Sequence, residues 1–355
     1  MLLLVVVVVL NLIGVLMVLS ASTVTALDEH GSSVSYFKRE VLWVTLGAAV
    51  LVAALRIDYH RWQRLARPLL AGSLGLLVLV LVPGVGVNIN GSTRWLGAGP
   101  LQVQPSELAK LAIVLFVAAL LARREEWLHD TRRTLRPVMT VLVVTALLIM
   151  LQPNLGTTIV VAVIVFTMLF SAGVPLGPLA GWGATGVLAA TAAALGEGYR
   201  RARVLAFLDP WADPLNTGYQ TIQSQVSLAS GGLLGVGVGA SRANWGFLPF
   251  AHTDFIFAII GEELGLLGAV TVVALYGAIG FLGVRTAIRA PDALGRMLAI
   301  GITTWLCVQA FVNIGAVIGI LPVTGVPLPF LSFGGSSMLA TMAGVGVLLN
   351  VSRHT

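Results

Sequence analysis

Long apolar runs dominate this sequence and restrict what it can fold into. Asp, Glu, Lys and Arg make up 10% of its 355 residues, against about 25% in an ordinary soluble domain. A helix needs roughly 20 residues to cross a bilayer core. Ten apolar windows approach or exceed that length: 2–20, 41–55, 69–87, 106–122, 137–151, 155–171, 173–195, 254–284, 297–321 and 327–350. The sequence therefore predicts an all-α polytopic membrane protein, a single domain over residues 1–355 with ten transmembrane helices.

Several function classes are excluded by composition. The single cysteine, Cys307, allows neither an intramolecular disulfide nor a cysteine-based metal cluster. The net charge of +6 arises from short basic clusters between apolar runs, which is typical of membrane loops; we expect no nucleic-acid partner. The glycines of segment 231–239 do not form a phosphate-binding loop, because no strand precedes them and no Gly-Lys-Ser/Thr follows.

The basic residues predict the orientation. Thirteen of the 21 Lys and Arg residues follow the even-numbered helices: Arg56, Arg61, Arg64, Arg67, Arg123, Arg124, Arg132, Arg133, Arg136, Arg285, Arg289, Arg296 and Arg353. Cytoplasmic loops carry an excess of Lys and Arg, so both termini should be cytoplasmic. The outer segments are then 21–40, 88–104, 152–154 and 196–253, the last being a long extracytoplasmic loop between helices 7 and 8.

Five charged residues lie inside the predicted spans: Glu107, Lys110, Asp254, Glu262 and Glu263. Charges there are costly, so each is a functional candidate. Glu107 and Lys110 are three residues apart and share a helix face, which fits either a structural ion pair or part of a site. Asp254 could cap helix 8 or act chemically. Glu262 and Glu263 could line a proton path or brace the packing.

The long outer loop is predicted to contain an interfacial amphipathic helix. Gln220, Gln223, Ser227 and Ser230 recur at helical spacing, and Ile222, Val226, Ala229 and Leu233 form the opposite stripe. The helix could be a membrane-surface strut or could present a polar stripe to a hydroxyl-rich head group. Arg94 and Arg242 are further outer-side cations.

Six stretches resemble the SEDS family of cell-wall glycosyltransferases, the RodA/FtsW type. They are Gly91-Ser-Thr-Arg-Trp-Leu96, Gln104-Pro-Ser-Glu-Leu-Ala-Lys-Leu111, Gln152-Pro-Asn-Leu-Gly-Thr157, Asp209-Pro-Trp-Ala-Asp-Pro214 with Gly218-Tyr-Gln220, His252-Thr-Asp-Phe-Ile-Phe257 with Glu262-Glu263, and Gly325-Val-Pro-Leu-Pro329 with Gly334-Gly-Ser-Ser337. Two departures are Pro249-Phe250-Ala251, where acidic and basic residues are more usual, and Asn154, where the family often has Asp.

The resemblance implies a ten-helix fold in the bacterial plasma membrane and polymerisation of lipid II into glycan strands at its outer face. It identifies Asp254 with the family's essential acid, and Glu107 with Lys110 as a pair in its cavity. The usual partner is a class B penicillin-binding transpeptidase, and other elongation-machinery membrane proteins are expected. The short lead before helix 1 and the absence of long cytoplasmic tails are more similar to RodA than to FtsW, which implies a role in cell elongation and cell shape.

These residues suggest a mechanism with one base and several cations. Asp254 would be the general base for the acceptor hydroxyl. Lys110, held by Glu107, would offset pyrophosphate charge with Arg94 or Arg242, and Gln220 and Gln223 would contact substrate. No dedicated metal cage is visible, although Mg²⁺ or Mn²⁺ could act through phosphate oxygens. The alternatives are a lipid-linked precursor flippase or other transporter, and a membrane scaffold.

Overall fold

The computed structural model describes residues 1–89, 91–98 and 101–355. This part of the chain contains twelve α-helices: α1 (Leu2–His30), α2 (Ser35–Arg56), α3 (Tyr59–Leu79), α4 (Pro105–Arg123), α5 (Arg136–Met150), α6 (Leu155–Ser171), α7 (Leu176–Gly196), α8 (Gly198–Leu208), α9 (Tyr219–Ser230), α10 (Ile256–Arg289), α11 (Ala293–Val317) and α12 (Gly335–Ser352). Each of the ten apolar windows overlaps one long helix. The two additional helices, α8 and α9, lie in the predicted outer loop 196–253.

The first of the predicted outer loops is much shorter than expected. α1 continues to residue 30 and ends at Gly31, whose φ of 64° lies in the left-handed region that glycine adopts without strain. Since α2 begins at Ser35, the predicted loop 21–40 is reduced to residues 31–34. The segments 21–30 and 35–40 therefore extend the first two helices.

Two other predicted helix boundaries were wrong. α3 begins ten residues earlier than expected, at Tyr59, because the Asp58 side chain accepts a hydrogen bond from the amide of His60 and caps the helix. α12 begins at Gly335 rather than at residue 327. Pro327 and Pro329 lack the amide donor that a helix interior needs, so the stretch 318–334 forms a loop.

Seven helical segments of the described chain are long and apolar enough to cross a membrane: α1, α4, α5 with the π-helical turn Thr131–Leu135 before it, α7, α10, α11 and α12. α2 and α3 bend by 117° at the short break between them, and taken as one span they make eight. α6 is apolar but has 17 residues. Ten crossings require α2, α3 and α6 each to span the bilayer, so the count of ten stays a prediction.

The segment after α3, predicted to lie outside, forms a small antiparallel sheet that the sequence did not predict. Its strands are β1 (Gly86–Ile89), β2 (Ser92–Ala98) and β3 (Leu101–Val103), paired in the order β1-β2-β3. Val87 lies opposite Trp95, and Gly97 lies opposite Gln102. The predicted loop 88–104 also includes Asn90, Gly99 and Pro100, which lie outside the described residues.

The chain divides into two compact units. Unit 1 comprises Met1–Thr45, Thr191–Ile279 and Gln309–Gly334, and unit 2 comprises Leu46–Ala190, Gly280–Val308 and Gly335–Thr355. Unit 1 contains Asp254 and the two adjacent glutamates, and unit 2 contains Glu107 and Lys110. The single domain expected over residues 1–355 stays a prediction.

A polar network in unit 2 joins the α2–α3 link to the α10–α11 link. The His60 ring lies between two carboxylates, with Nδ1 2.8 Å from Asp58 Oδ1 and Nε2 2.8 Å from Asp292 Oδ2. The Tyr59 hydroxyl donates to Asp292 Oδ2 at 2.8 Å, and the Gly295 amide donates to Oδ1 at 2.6 Å. Burial raises the pKa of Asp292, but these contacts outweigh it and hold the pKa below its usual range.

Acid sensitivity should follow from this network. A carboxyl group with a lowered pKa stabilises the fold above its unfolded pKa, and the stabilisation is lost as pH falls through the folded pKa. For Asp292 that loss begins below about pH 4. We expect Asp292→Asn to destabilise the protein by about 1 kcal/mol at pH 7. Its melting temperature in detergent should also fall less steeply as the pH is lowered into the acid range. Asp28→Asn, which changes an exposed carboxylate of α1, is the control. The prediction would be contradicted if the melting temperatures of the two variants fell equally steeply with falling pH.

Candidate functional site

A tight turn before α10 carries the half-buried side chain of Asp254. Phe250 has a φ of 60°, and its carbonyl accepts hydrogen bonds from the amides of Thr253, Asp254 and Phe255 at 3.1, 3.1 and 3.3 Å. A non-glycine residue with positive φ is uncommon, and such residues cluster at functional sites. Because α10 begins at Ile256, Asp254 lies just before the helix and not in its first turn as expected.

The backbone around Asp254 is fixed by three consecutive hydrogen bonds. The carbonyls of residues 252, 253 and 254 accept from the Phe333 amide at 3.0 Å, the Ser332 hydroxyl at 2.5 Å and the Asn313 side-chain amide at 2.8 Å, respectively. Ser332 and Asn313 are both buried. The backbone from which the Asp254 side chain projects is therefore held by α11 and by the loop after it, before any substrate arrives.

The 318–334 loop also approaches the carboxylate itself. Asn313 Nδ2 donates to the Val326 carbonyl at 2.8 Å, and Gln309 Nε2 donates to the Pro327 carbonyl at 2.9 Å. Gly325 has a φ of 69°, and a Cβ added there would lie 3.6 Å from Asp254 Oδ2. The structure thus brings the Gly325–Pro329 motif, which the sequence analysis quoted for its resemblance, against the candidate acid.

An aromatic cluster adjoins this turn and was missed by sequence reasoning. The rings of Tyr36, His252 and Phe333 lie with centroids 4.7, 5.1 and 5.9 Å apart. Glu40, one helical turn after Tyr36, is fully buried. The apolar window was started at residue 41, so this buried carboxylate was not counted among the charges in spans. The available signal was the four-residue spacing of Tyr36 and Glu40 in the sequence.

The Glu262 carboxylate is buried and holds the loop that precedes the turn. Its Oε2 accepts from the Ser241 hydroxyl at 2.6 Å, and its Oε1 accepts from the backbone amide of Arg242 at 2.9 Å. The side chain of Arg242 is exposed. Its assignment as a substrate-binding cation stays a prediction.

The adjacent Glu263 is buried as well and connects to α1. Its Oε1 accepts from the Ser20 hydroxyl at 2.5 Å and from Asn244 Nδ2 at 3.2 Å. Asn244 Nδ2 also donates to the Ser20 carbonyl at 3.2 Å. Of the two roles left open by the sequence, these contacts favour bracing of unit 1.

The glycine-rich segment 231–239 fills a break in α10. The helix is interrupted at Gly265, with φ 68° and ψ −167°. The carbonyls of residues 262 and 263 accept from the amides of residues 236 and 237, and the amides of residues 266 and 267 donate to the carbonyls of residues 232 and 233, at 2.9 to 3.3 Å. Gly231, Gly235 and Gly265 leave no room for a side chain, because two backbones meet at these positions.

Gly235 and Gly239 offer a matched test of this contact. Both have a φ of 82°, but a Cβ on Gly235 would lie 2.1 Å from the Glu263 carbonyl oxygen, whereas a Cβ on Gly239 meets nothing within 4 Å. Both alanine variants carry the positive-φ penalty of about 1 kcal/mol, and Gly235→Ala adds a clash of about 1–3 kcal/mol. We expect the lower melting temperature in detergent for Gly235→Ala. Equal melting temperatures would contradict the close approach.

In unit 2, α4 buries the predicted ion pair completely. Lys110 Nζ lies 2.7 Å from Glu107 Oε1, and the two side chains are 0% and 1% exposed. Nζ also lies 5.5 Å from the centre of the buried Trp305 ring, within cation–π range. The Gln104 amide, just before α4, donates to Ser336 Oγ at 3.1 Å. Two of the quoted motifs therefore meet at the start of α4.

Arg94, predicted as an outer-side cation for substrate, binds the α5–α6 link. Its Nε donates to the Gln152 carbonyl at 2.8 Å and its Nη2 to the Pro153 carbonyl at 2.5 Å. Asn154 then caps α6, because its side chain accepts from the Thr157 amide at 3.2 Å. An Asp at this position would make the same cap. The substrate-binding role of Arg94 stays a prediction.

The predicted amphipathic helix exists as α9, but its buried face differs from the apolar stripe. Gln220 and Gln223 are half-buried. Ser224 is fully buried and donates to the Val317 carbonyl at 3.0 Å, whereas Val226 is 53% exposed. In a membrane protein, exposed apolar side chains can face lipid, so the small polar residues pack inward instead.

No group of three or more His, Cys, Asp or Glu residues suited to a metal ion is found within the described residues. The expectation of Mg²⁺ or Mn²⁺ bound through phosphate oxygens stays a prediction.

Comparison with known proteins identifies the family. The family model for FtsW, RodA and SpoVE proteins, described as "Cell cycle protein", matches residues 1–355. The chain belongs to the FtsW/RodA/SpoVE family. This confirms the resemblance to the SEDS proteins.

Relatives of this family member align over nearly its whole length. A probable peptidoglycan glycosyltransferase FtsW of Geobacter metallireducens is 41% identical over 96% of this chain and 91% of the relative. Stage V sporulation protein E of Bacillus subtilis is 40% identical over 97% and 94%, respectively.

Solved structures agree with the fold. A chain from a peptidoglycan synthase complex, whose structure concerns the coordination of polymerization and crosslinking, has a TM-score of 0.81 at 34% identity, covering 99% of this chain and 96% of that one. The crystal structure of the rod shape determining protein RodA of Thermus thermophilus gives 0.71 at 30% identity, covering 99% and 95%. The predicted fold class, an all-α polytopic membrane protein, is confirmed.

Proposed function

We propose that this peptidoglycan glycosyltransferase of the FtsW/RodA/SpoVE family polymerises lipid II at the outer face of the bacterial plasma membrane. Relatives at 39–43% identity carry the name peptidoglycan glycosyltransferase, which supports the enzyme class. The observation that carries the proposal is the set of three hydrogen bonds that fix the carbonyls of residues 252–254. A carboxylate needs such rigid support to act as a positioned base.

In the proposed reaction, the Asp254 carboxylate takes the proton from the 4-hydroxyl of the acceptor sugar. The hydroxyl oxygen forms a bond to the anomeric carbon of the donor, while the bond from that carbon to the lipid pyrophosphate breaks. The pyrophosphate leaves with the bonding electrons, so no second carboxylic acid is needed, unlike in glycoside hydrolysis. Arg94, Arg242, Gln220 and Gln223 remain candidates for substrate contact.

Lys110 and Glu107 have a positioning role in this proposal. The ammonium is 0% exposed and is neutralised by a carboxylate at 2.7 Å. A charge enclosed in this way contributes mainly by keeping the start of α4 in place. That Lys110 offsets pyrophosphate charge stays a prediction.

Polymer formation in detergent tests the activity. Purified protein and labelled lipid II share one compartment there, so a flippase or other transporter yields no new covalent product. We expect glycan strands that resolve as a ladder on a gel and that a muramidase degrades. A labelled substrate that stays monomeric would refute the proposal, and binding of partners without polymer would favour the scaffold.

The proposed partner is a class B penicillin-binding transpeptidase, together with other membrane proteins of the same machinery. The structural relative comes from a synthase complex in which polymerization and crosslinking are coordinated, which supports a crosslinking partner. Co-purification of the two proteins in mild detergent tests the pairing, and their separation at equal expression would count against it.

The role in cell elongation, which the sequence analysis took from the likeness to RodA, is proposed as the finer function. A chain of this family serving elongation should give rounded cells when depleted, because sidewall synthesis stops while division continues. Filamentous cells would instead assign the chain to division, as the names of its FtsW relatives suggest.

The topology is testable with one cysteine. The long loop should be extracytoplasmic and both termini cytoplasmic, because 13 of the 21 Lys and Arg residues fall in the four segments assigned to the inside. Leu215 is 82% exposed, so Leu215→Cys should react with a membrane-impermeant maleimide in intact cells, in a background where Cys307 is serine. Reaction only after permeabilisation would overturn the orientation.

A further inference from the structure

An arginine-lined pocket lies in the link between α4 and α5, among residues that the proposed reaction does not use. Its lining residues are Arg123, Arg124, Trp127, Arg132, Arg133 and Pro137, and its volume is about 370 Å³. These lining residues include four arginines and no carboxylate. The pocket therefore has the charge of an anion-binding site.

Of two nearby carboxylates, Asp130 braces the pocket itself and Glu125 is engaged outside it. The Asp130 side chain accepts from the backbone amides of residues 132 and 133 at 2.9 and 3.1 Å and lies 3.4 Å from Arg133 Nε. Glu125 pairs with Arg296 at 2.9 Å. The structure records no ion pair for Arg123, Arg124 or Arg132 within its described residues, so their charges are available to a ligand.

The pocket also contains a donor that lacks an acceptor. Arg124 Nη1 is buried and has no hydrogen-bond partner in the described part of the chain, which is costly for a charged donor. The Arg133 guanidinium stacks 4.0 Å from the centre of the Trp127 ring and is thereby held in one orientation. A phosphate group suits such a set of guanidinium groups, since two of its oxygens can accept a pair of parallel hydrogen bonds from one arginine.

The location of the pocket indicates which class of phosphate compound binds there. α4 ends at Arg123, and the helical segment leading into α5 begins at Thr131, so the pocket lies at the ends of two candidate membrane spans. Trp127 is 46% exposed, and tryptophan is enriched at membrane interfaces. Basic pockets at the cytoplasmic ends of membrane helices bind lipid head groups. We propose that this pocket binds the phosphate of an anionic phospholipid, such as phosphatidylglycerol, from the leaflet facing the chain termini.

Short-chain lipids test the proposal in solution. Dioctanoyl-phosphatidylglycerol is titrated into the detergent-solubilised full chain, and binding is followed by microscale thermophoresis. One basic residue near an anionic lipid contributes about a fivefold change in affinity. Arg124→Gln with Arg132→Gln should therefore weaken binding about 25-fold. The control removes the same charge from Arg61 and Arg64, exposed arginines assigned to the same face, and should change binding less than twofold.

A charge-keeping variant and competing ligands identify what the pocket binds. Arg124→Lys with Arg132→Lys keeps the charge and should bind within about fivefold of the unchanged protein. If the double glutamine variant melts early, Arg132→Gln alone, at an exposed arginine, replaces it and should weaken binding about fivefold. Equal losses in the pocket and control variants would overturn the proposal, because they would indicate diffuse attraction. Glycerol 3-phosphate or a glutamate-rich peptide that displaced the lipid at lower concentration than phosphatidylglycerol itself would also overturn it. In those cases the ligand would be a free phosphate or an acidic partner.

Discussion

Asp254→Asn should abolish polymerisation of lipid II while leaving the protein folded. The amide has the same size as the carboxylate but cannot take a proton at neutral pH, and loss of a positioned base costs about 10²–10⁴ in rate. The hydrogen bond from Asn313 goes to the main-chain carbonyl of residue 254, so it survives the change. We therefore expect a melting temperature near that of the unchanged protein and a rate at least about 100-fold lower.

The measurement compares initial rates of glycan formation by protein loaded with its transpeptidase partner, with melting temperatures in the same detergent. Asp28→Asn, on the exposed surface of α1, controls for the loss of one carboxylate and should keep full activity. Near-normal polymer from a stable Asp254→Asn protein would remove Asp254 from the mechanism and revive the transporter alternative.

Lys110→Met should have the largest effect on stability. The substitution keeps the apolar stem but leaves Glu107, 1% exposed, as a buried carboxylate without its cation. Breaking a buried ion pair by removing one partner costs about 3–5 kcal/mol. We expect a large fall in melting temperature and a strong loss of activity in the fraction that remains folded.

The double variant Glu107→Gln with Lys110→Met separates charge from bulk. Replacing both members of a buried pair is often close to neutral for stability, so the double variant should regain most of the lost melting temperature. If the positive potential of Lys110 supports pyrophosphate departure, activity should stay low in this stable protein. Full recovery of activity would make the pair purely structural.

The sequence predicted the positions of the long helices because apolar length is a local property. Each of the ten windows overlaps a helix, and α9 was expected within the outer loop. The predicted starts of α3 and α12 were wrong, because a local cap at Asp58 and a proline at Pro327 determine where these helices begin. The sheet of β1 to β3 was missed because its strands are short and lie in a segment that was read only as a loop between spans.

The candidate site was predictable in part for a different reason. Charges in apolar surroundings made Asp254, Glu107 and Lys110 candidates without any structure, and their roles stay predictions. The support of Asp254 was not predictable, because Asn313 and Ser332 lie 59 and 79 residues from the residues whose carbonyls they bind. Likewise, the pairing of segment 231–239 with the break at Gly265 depends on backbone groups, which leave no pattern of side chains beyond the glycines themselves.

The most direct test of the proposed outer-face reaction is to measure polymer formation when lipid II is supplied to one leaflet at a time. Oriented proteoliposomes carry the unchanged protein and its transpeptidase partner, with the side of residue 215 established by maleimide labelling, and labelled lipid II is supplied to one leaflet only. We predict glycan strands when lipid II is in the leaflet on the side of residue 215, and none when Asp254 is asparagine. Strands formed only from lipid II in the opposite leaflet, or transfer of intact lipid II across the bilayer without strands, would contradict this prediction.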